Sequence, residues 1–332
     1  MSGVAGASKA RSPWLSAAVW RGLFRDRPMI PLLALLAMLV VASELVRPGI
    51  VGPDWIGVIL RAAVPLAILA GCQTLTMLTG GIDLSVGAVA SMSGFVVASL
   101  AAGTGTPTAI VIALVAAALA GLVTGIGVGV FRVHPLIMTL GMGLVVLGLA
   151  NFWQLQTLMS STGVPPELRW LGSGAFAQVL PYSLLVIVPL AAVILVGLRR
   201  TGYGRLLYAI GDNPIAARLA GARSWQILVV LYVISALLAA VAGFLLSGYT
   251  NVASVSLADS ALLPSVAAAV IGGTSILGGR GGYGGTMVGA LILTVITSLL
   301  SSLGYPDAVT QILFGAIIVA VAAAYARVTS QS

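Results

Sequence analysis

Residues 56–79 read IGVILRAAVPLAILAGCQTLTMLT, interrupted by one charge, Arg61, and residues 80–87 continue as GGIDLSVG before a second apolar run begins. A spanning helix needs about 20 predominantly apolar residues, which the first stretch supplies. Gly80 and Gly81 then free the backbone from helical geometry, and Asp83 stands where an N-cap for the next helix belongs. Two readings of this break are open. It is a tight cytoplasmic turn with a capping aspartate, or a broken helix beside a transport path, since irregular backbone at membrane depth survives only where protein or a water-filled cavity satisfies it.

The rest of the chain repeats the apolar pattern. Of 332 residues 59% are hydrophobic and 7% charged, against about 25% charged in soluble domains. So few charges cannot clothe a water-soluble body, and the bilayer is the solvent. The apolar runs are too long for barrel strands, so the fold class is an all-α membrane protein. Ten candidate segments follow: 29–46, 56–79, 84–102, 107–131, 135–159, 182–198, 225–249, 263–277, 283–303 and 308–326. The eighth is short and ends in Gly278-Gly279-Arg280-Gly281-Gly282, the mark of a half-helix or re-entrant turn.

Orientation follows the positive-inside rule. With the N-terminus inside, Lys9, Arg11, Arg21, Arg25, Arg27, Arg132, Arg199, Arg200, Arg205, Arg218, Arg223, Arg280 and Arg327 are cytoplasmic, and Arg47, Arg61 and Arg169 lie outside. Both termini are then cytoplasmic, with a tail at 1–28, a membrane domain at 29–327 and a short tail at 328–332. The formal charge of +8 reflects this topology rather than a nucleic-acid face, because the basic residues sit at the ends of apolar runs.

The largest cytoplasmic connection, 199–225, contains a short helix signal. Asn213 can cap, Pro214 suits the first helical position and Gly221 the residue just past the end, which predicts about two turns. Ile215 and Leu219 share a face. So short a helix is unstable alone, so either it docks on a partner or it lies on the bilayer surface. Gly121, Gly125 and Gly129 recur every four residues and allow close helix approach.

Gln73, Thr74, Thr76, Asn151 and Gln154 are uncharged polar residues near membrane depth; they line a hydrophilic path or bond between helices. Cys72, the single cysteine, can form no internal disulfide and reads as core. His134 has no metal-ligand companions, and the glycines at 278–285 lack the Lys-Ser/Thr of a phosphate loop. Neither a metal site, nor ATP binding in that manner, nor enzymatic chemistry is expected in this chain. Asp83 alone offers little to hold a coupling ion, so energy is expected from outside the chain.

Three segments in order, 80–87, 208–221 and Val270-Ile271-Gly272-Gly273-Thr274-Ser275 with its following glycines, resemble the permeases of ribose-type monosaccharide ABC importers, related more distantly to branched-chain amino acid permeases. The likeness covers roughly residues 56–327. Many members carry Glu-Leu-Asp where this chain has Leu262-Leu263-Pro264, and a second glycine where Asp212 stands; other sugar permeases share the Leu-Leu-Pro version.

The resemblance implies a bacterial inner-membrane permease subunit that pairs with a second copy or a sister, two cytoplasmic ATPases that bind ATP-Mg, and a periplasmic solute-binding protein. It implies ATPase coupling through Tyr208, Gly211, Asn213, Pro214, Ala216, Ala217, Arg218 and Gly221. A path or gate is expected at Gly80, Gly81, Asp83, Ser85, Gln73, Asn151, Gly272 and Gly273. The substrate expected is a monosaccharide or similar small polar solute; a nucleoside, signalling furanose or amino acid is the alternative within the class. A secondary ion-coupled carrier is the rival outside it, and a receptor-anchoring protein leaves the glycine breaks without use.

Overall fold

The computed structural model describes residues 29–157 and 163–329. The expected tail at 1–28, the end of the fifth segment at Met159, Ser160 in the connection after it, and residues 330–332 lie outside the described residues. Helices dominate: α1 (Met29–Val46), α2 (Pro53–Met77), α3 (Val86–Thr104), α4 (Thr106–Gly129), α5 (Pro135–Thr157), α6 (Pro166–Ser173), α7 (Leu184–Arg200), α8 (Gly202–Asp212), α9 (Pro214–Leu219), α10 (Ser224–Thr250), α11 (Asp259–Ile271), α12 (Tyr283–Ser302) and α13 (Asp307–Thr329).

Among the described residues seven helices are long and apolar enough to cross a membrane, α1 to α5, α10 and α12. An eighth span results if α7 and α8, bent by 68°, count together. The sequence expectation of ten is not reached on length. The expected eighth segment is the 13-residue α11, which at 1.5 Å per residue rises only about 20 Å, against a hydrocarbon core of about 30 Å. It carries Pro264 inside and stops at Gly272.

The core is built around α10. The glycine stripe of α4 lies on it: a Cβ at Gly125 would meet the Val229 Cα at 2.6 Å, and one at Gly129 the Trp225 oxygen at 2.8 Å. The three glycines let the two backbones touch, as small residues at four-residue spacing do between membrane helices. Farther along α10, Gly243 meets the Ala90 backbone of α3. Cys72 is fully buried and donates toward the Ser235 carbonyl at 3.3 Å.

The polar connection after the fifth segment holds more structure than its composition announces. It contains α6 and a two-stranded antiparallel hairpin, β1 (Ala175–Phe176) and β2 (Leu180–Pro181), paired Ala175 with Pro181. Eight residues show too few turns for a periodic signal. Tertiary contacts hold them: Gly172 and Gly248 interlock α6 with α10, and Trp170 stacks on Tyr182 at 4.4 Å.

Candidate functional site

The first helix break is closed by a glycine cap. Gly80 adopts φ +78°, the N–H of Gly80 donates to Met77 and that of Gly81 to Thr76, so the last turn of α2 satisfies its carbonyls locally. The break after α11 repeats the device: Gly273 has φ +89°, its N–H donates to Val270 and that of Thr274 to Ala269. A side chain at either left-handed position would cost conformational energy, which is why glycine stands there.

Beyond Gly81 the chain is held by buried side chains from three helices. Gln73 of α2 donates Nε2 to the Asp83 carbonyl at 2.9 Å and accepts the Asp83 N–H on Oε1 at 3.2 Å. Thr139 of α5 donates to the Ile82 carbonyl at 3.1 Å and accepts the Leu84 N–H at 3.0 Å. The Asp83 carboxylate, 2% exposed, accepts from the Ser85 N–H at 3.0 Å and the Ser85 hydroxyl at 2.6 Å on one oxygen. The other oxygen accepts from the Ser235 hydroxyl of α10 at 2.8 Å.

This arrangement corrects the expectation that Asp83 caps α3. The N-cap is Ser85, without a side-chain capping bond. Asp83 instead closes a turn over Ser85 and reaches across to Ser235, because a buried carboxylate needs every donor within range. Tyr232 brings a hydroxyl to the same region that is buried and has no hydrogen-bond partner in the structure. A Cβ on Gly81 would come within 3.0 Å of it.

The connection at 199–225 contains the short helix the sequence predicts, preceded by the eleven-residue α8, which it does not. Asn213 caps α9, its Oδ1 accepting from the Ile215 N–H at 3.1 Å and the Ala216 N–H at 2.9 Å, and Pro214 opens the helix. Gly221 follows its end at φ +87°. Arg218 donates Nε back to the Pro214 carbonyl at 3.1 Å. Ile215 and Leu219 stand 62% and 86% exposed, while Ala217 is buried.

The three sequence motifs meet in space. The N–H of Gly279 donates to the Leu78 carbonyl at 3.0 Å. Gly211, at the end of α8, lies on that carbonyl, and a Cβ on Gly278 would strike the Gly211 oxygen at 2.8 Å and the Gly80 nitrogen at 3.0 Å. Tyr208 donates its hydroxyl to the Gly281 carbonyl at 2.9 Å. Gly272 packs on the backbone of Gly285 and Thr286 of α12, and the Thr286 hydroxyl lies 2.6 Å from that of Thr74 on α2. A cavity of about 300 Å³ lined in part by Arg199, Tyr208, Gly273 and Gly281 opens beside this junction.

Gln73, Gly80, Gly81, Asp83, Ser85, Tyr208, Gly211, Gly272 and Gly273 are thus brought into two adjoining clusters. Asn151 stands apart on an exposed part of α5, its Nδ2 donating to the Leu147 carbonyl at 2.9 Å. Sequence reasoning missed Thr139, Ser235 and the Leu78 carbonyl. A lone Ser or Thr in an apolar helix looks the same whether it bonds across helices or back to its own turn. Among the described residues no group of three His, Cys, Asp or Glu side chains is placed to hold a metal ion.

A family model described as branched-chain amino acid transport system / permease component matches residues 56–322. The chain is similar to a fructose import permease protein of Rhizobium meliloti, 32% identical over 87% of this chain and 82% of the relative. It is 34% identical to a galactofuranose transporter permease protein of Escherichia coli (strain K12), over 79% of this chain and 77% of the relative. A ribose import permease protein of Bacillus subtilis (strain 168) is 31% identical over 82% of this chain and 85% of the relative. No solved structure matches the chain.

Proposed function

The chain belongs to the family of branched-chain amino acid transport system permease components, and from that premise we propose that it is the membrane-spanning subunit of an ATP-driven, binding-protein-dependent importer for a monosaccharide or similar small polar solute. It is a multi-pass protein of the bacterial plasma membrane. The observation that carries the reading is the family match over residues 56–322 together with relatives named for fructose, galactofuranose and ribose import.

The chain crosses about ten times with both termini cytoplasmic, through α1 to α5, α7 and α10 to α13, the short α11 crossing together with its flanking segments. The distribution of basic residues, 13 inside against 3 outside among the 16, supports that topology. α9 docks on a cytoplasmic ATPase, which binds ATP-Mg. Its support is the exposure of Ile215 and Leu219 on a helix too short to persist without a partner. A second copy or a sister subunit completes the membrane body, and a solute-binding protein delivers the sugar from the other side. The glycine breaks at Gly80–Gly81 and Gly272–Gly273 flank the path as gates.

The family description itself favours a second reading, in which the solute is a branched-chain amino acid. Reconstitution of the chain with its ATPase and binding protein in proteoliposomes tests both. Sugar uptake that requires ATP on the ATPase side supports the first reading, and leucine uptake under the same conditions the second. Accumulation of solute by the chain alone, driven by an ion gradient, overturns both.

A further inference from the structure

Three parts of the chain, each more than sixty residues from the next, meet at Gly211, and they meet through backbone. The Leu78 carbonyl caps α2 at the first break; Gly278 and Gly279 lie in the loop that follows the second; Gly211 is in the last turn of α8. Backbone set on backbone has no rotamer through which a displacement can be absorbed, and close-packed interiors transmit strain because they compress little. α8 leaves α7 at 68°, and only Asn213 separates its last residue from α9.

Resting on the importer reading above, we infer that Gly211 and Tyr208 are positioning residues of a mechanical joint that carries displacement of α9 to both helix breaks at once. Gly211 bears on the Leu78 carbonyl and, through it, on the break held by Gln73, Asp83 and Ser235. The same Leu78 carbonyl accepts the Gly279 N–H, and the Tyr208 hydroxyl holds the Gly281 carbonyl, so the loop after α11 moves with α8. One stroke at the cytoplasmic surface therefore reaches α2 and α11 together, a coordinated change of the hinge type. Separate linkages would let one break open without the other and waste hydrolysis.

The test uses the full complex of permease, ATPase and binding protein in proteoliposomes, and reads solute molecules imported per ATP hydrolysed. Gly211→Ala places a methyl group on the Leu78 carbonyl, and Tyr208→Phe removes only the bond to Gly281. Each is expected to lower the ratio by about fivefold or more, the scale of coupling between linked sites. Subunit co-purification and the melting temperature of Tyr208→Phe stay at wild-type values, which a merely structural role would not give. Gly197→Ala, in α7 with nothing within 4 Å of the added Cβ, keeps the wild-type ratio.

A wild-type ratio in every variant that assembles overturns the joint while leaving the importer reading intact. If Gly211→Ala fails to assemble, Tyr208→Phe decides alone. A wild-type complex without ATP-dependent uptake sinks the importer reading, and the joint's role falls with it.

Discussion

The side-chain amide of Gln73 holds both backbone groups of Asp83, donating to its carbonyl at 2.9 Å and accepting its N–H at 3.2 Å. A side-chain amide carries its donor and its acceptor on separate atoms, so it can serve both backbone groups of one residue, as a neighbouring strand would. Gln73 is fully buried, so no water substitutes for it. The helix break is therefore a bound conformation.

Gln73→Leu keeps much of the volume and strands two buried backbone groups. At about 1–3 kcal/mol for each unsatisfied group, the purified subunit should lose about 2 kcal/mol or more. Denaturant unfolding in detergent measures this. A midpoint equal to wild type would show that the clamp contributes nothing.

Asp83 and Ser235 should couple energetically. Ser235→Ala removes the donor on one carboxylate oxygen and Asp83→Ala removes the acceptor, so either change abolishes the 2.8 Å bond. The double variant should then cost less than the sum of the singles by about 0.5 kcal/mol or more, as contacting residues do. Additive losses in the same unfolding assay would mean that the contact carries no energy.

The α4 to α10 contact predicts opposite outcomes for two similar substitutions. Gly125→Ala drives a methyl group to within 2.6 Å of the Val229 Cα and should destabilise by about 1–3 kcal/mol through overpacking. Gly141→Ala, on α5 with nothing within 4 Å, should be neutral or stabilise by up to about 1 kcal/mol. Melting temperatures of the two purified variants separate them.

On α9 a charge should act differently at adjacent positions. Ala216 is exposed and Ala217 buried in the subunit's own core. Ala216→Glu should leave the isolated subunit as stable as wild type and weaken ATPase co-purification. Ala217→Glu should lower the subunit's own stability, because a carboxylate is buried without a partner. Asn213→Ala should weaken docking by roughly tenfold or less, since losing a helix N-cap costs about 1 kcal/mol. Titrating the ATPase onto detergent-purified variants measures all three.

Several features were legible because they are local. The cap and stop of α9 follow from Asn213, Pro214 and Gly221, whose preferences act within a turn. The close approach at Gly121, Gly125 and Gly129 follows from spacing alone. The helix α6 and the hairpin after it were not legible, since Gly172, Gly248, Trp170 and Tyr182 stabilise them from positions far apart in the chain.

By itself the sequence determined that this protein is helical and lives in lipid, that the chain breaks at Gly80, and which short helix is built to begin and end where it does; the second break, expected at Gly278, begins at Gly272 in the structure. Those outcomes depend on hydrophobicity and backbone freedom, which each residue carries wherever it is placed. Only the tertiary structure decided that Asp83 answers to Gln73 and Ser235 rather than capping α3, and that Leu78, Gly211 and Gly279 share one contact. Such pairings depend on which helices lie side by side, and a hydroxyl or a glycine in one dimension does not name its neighbour in three.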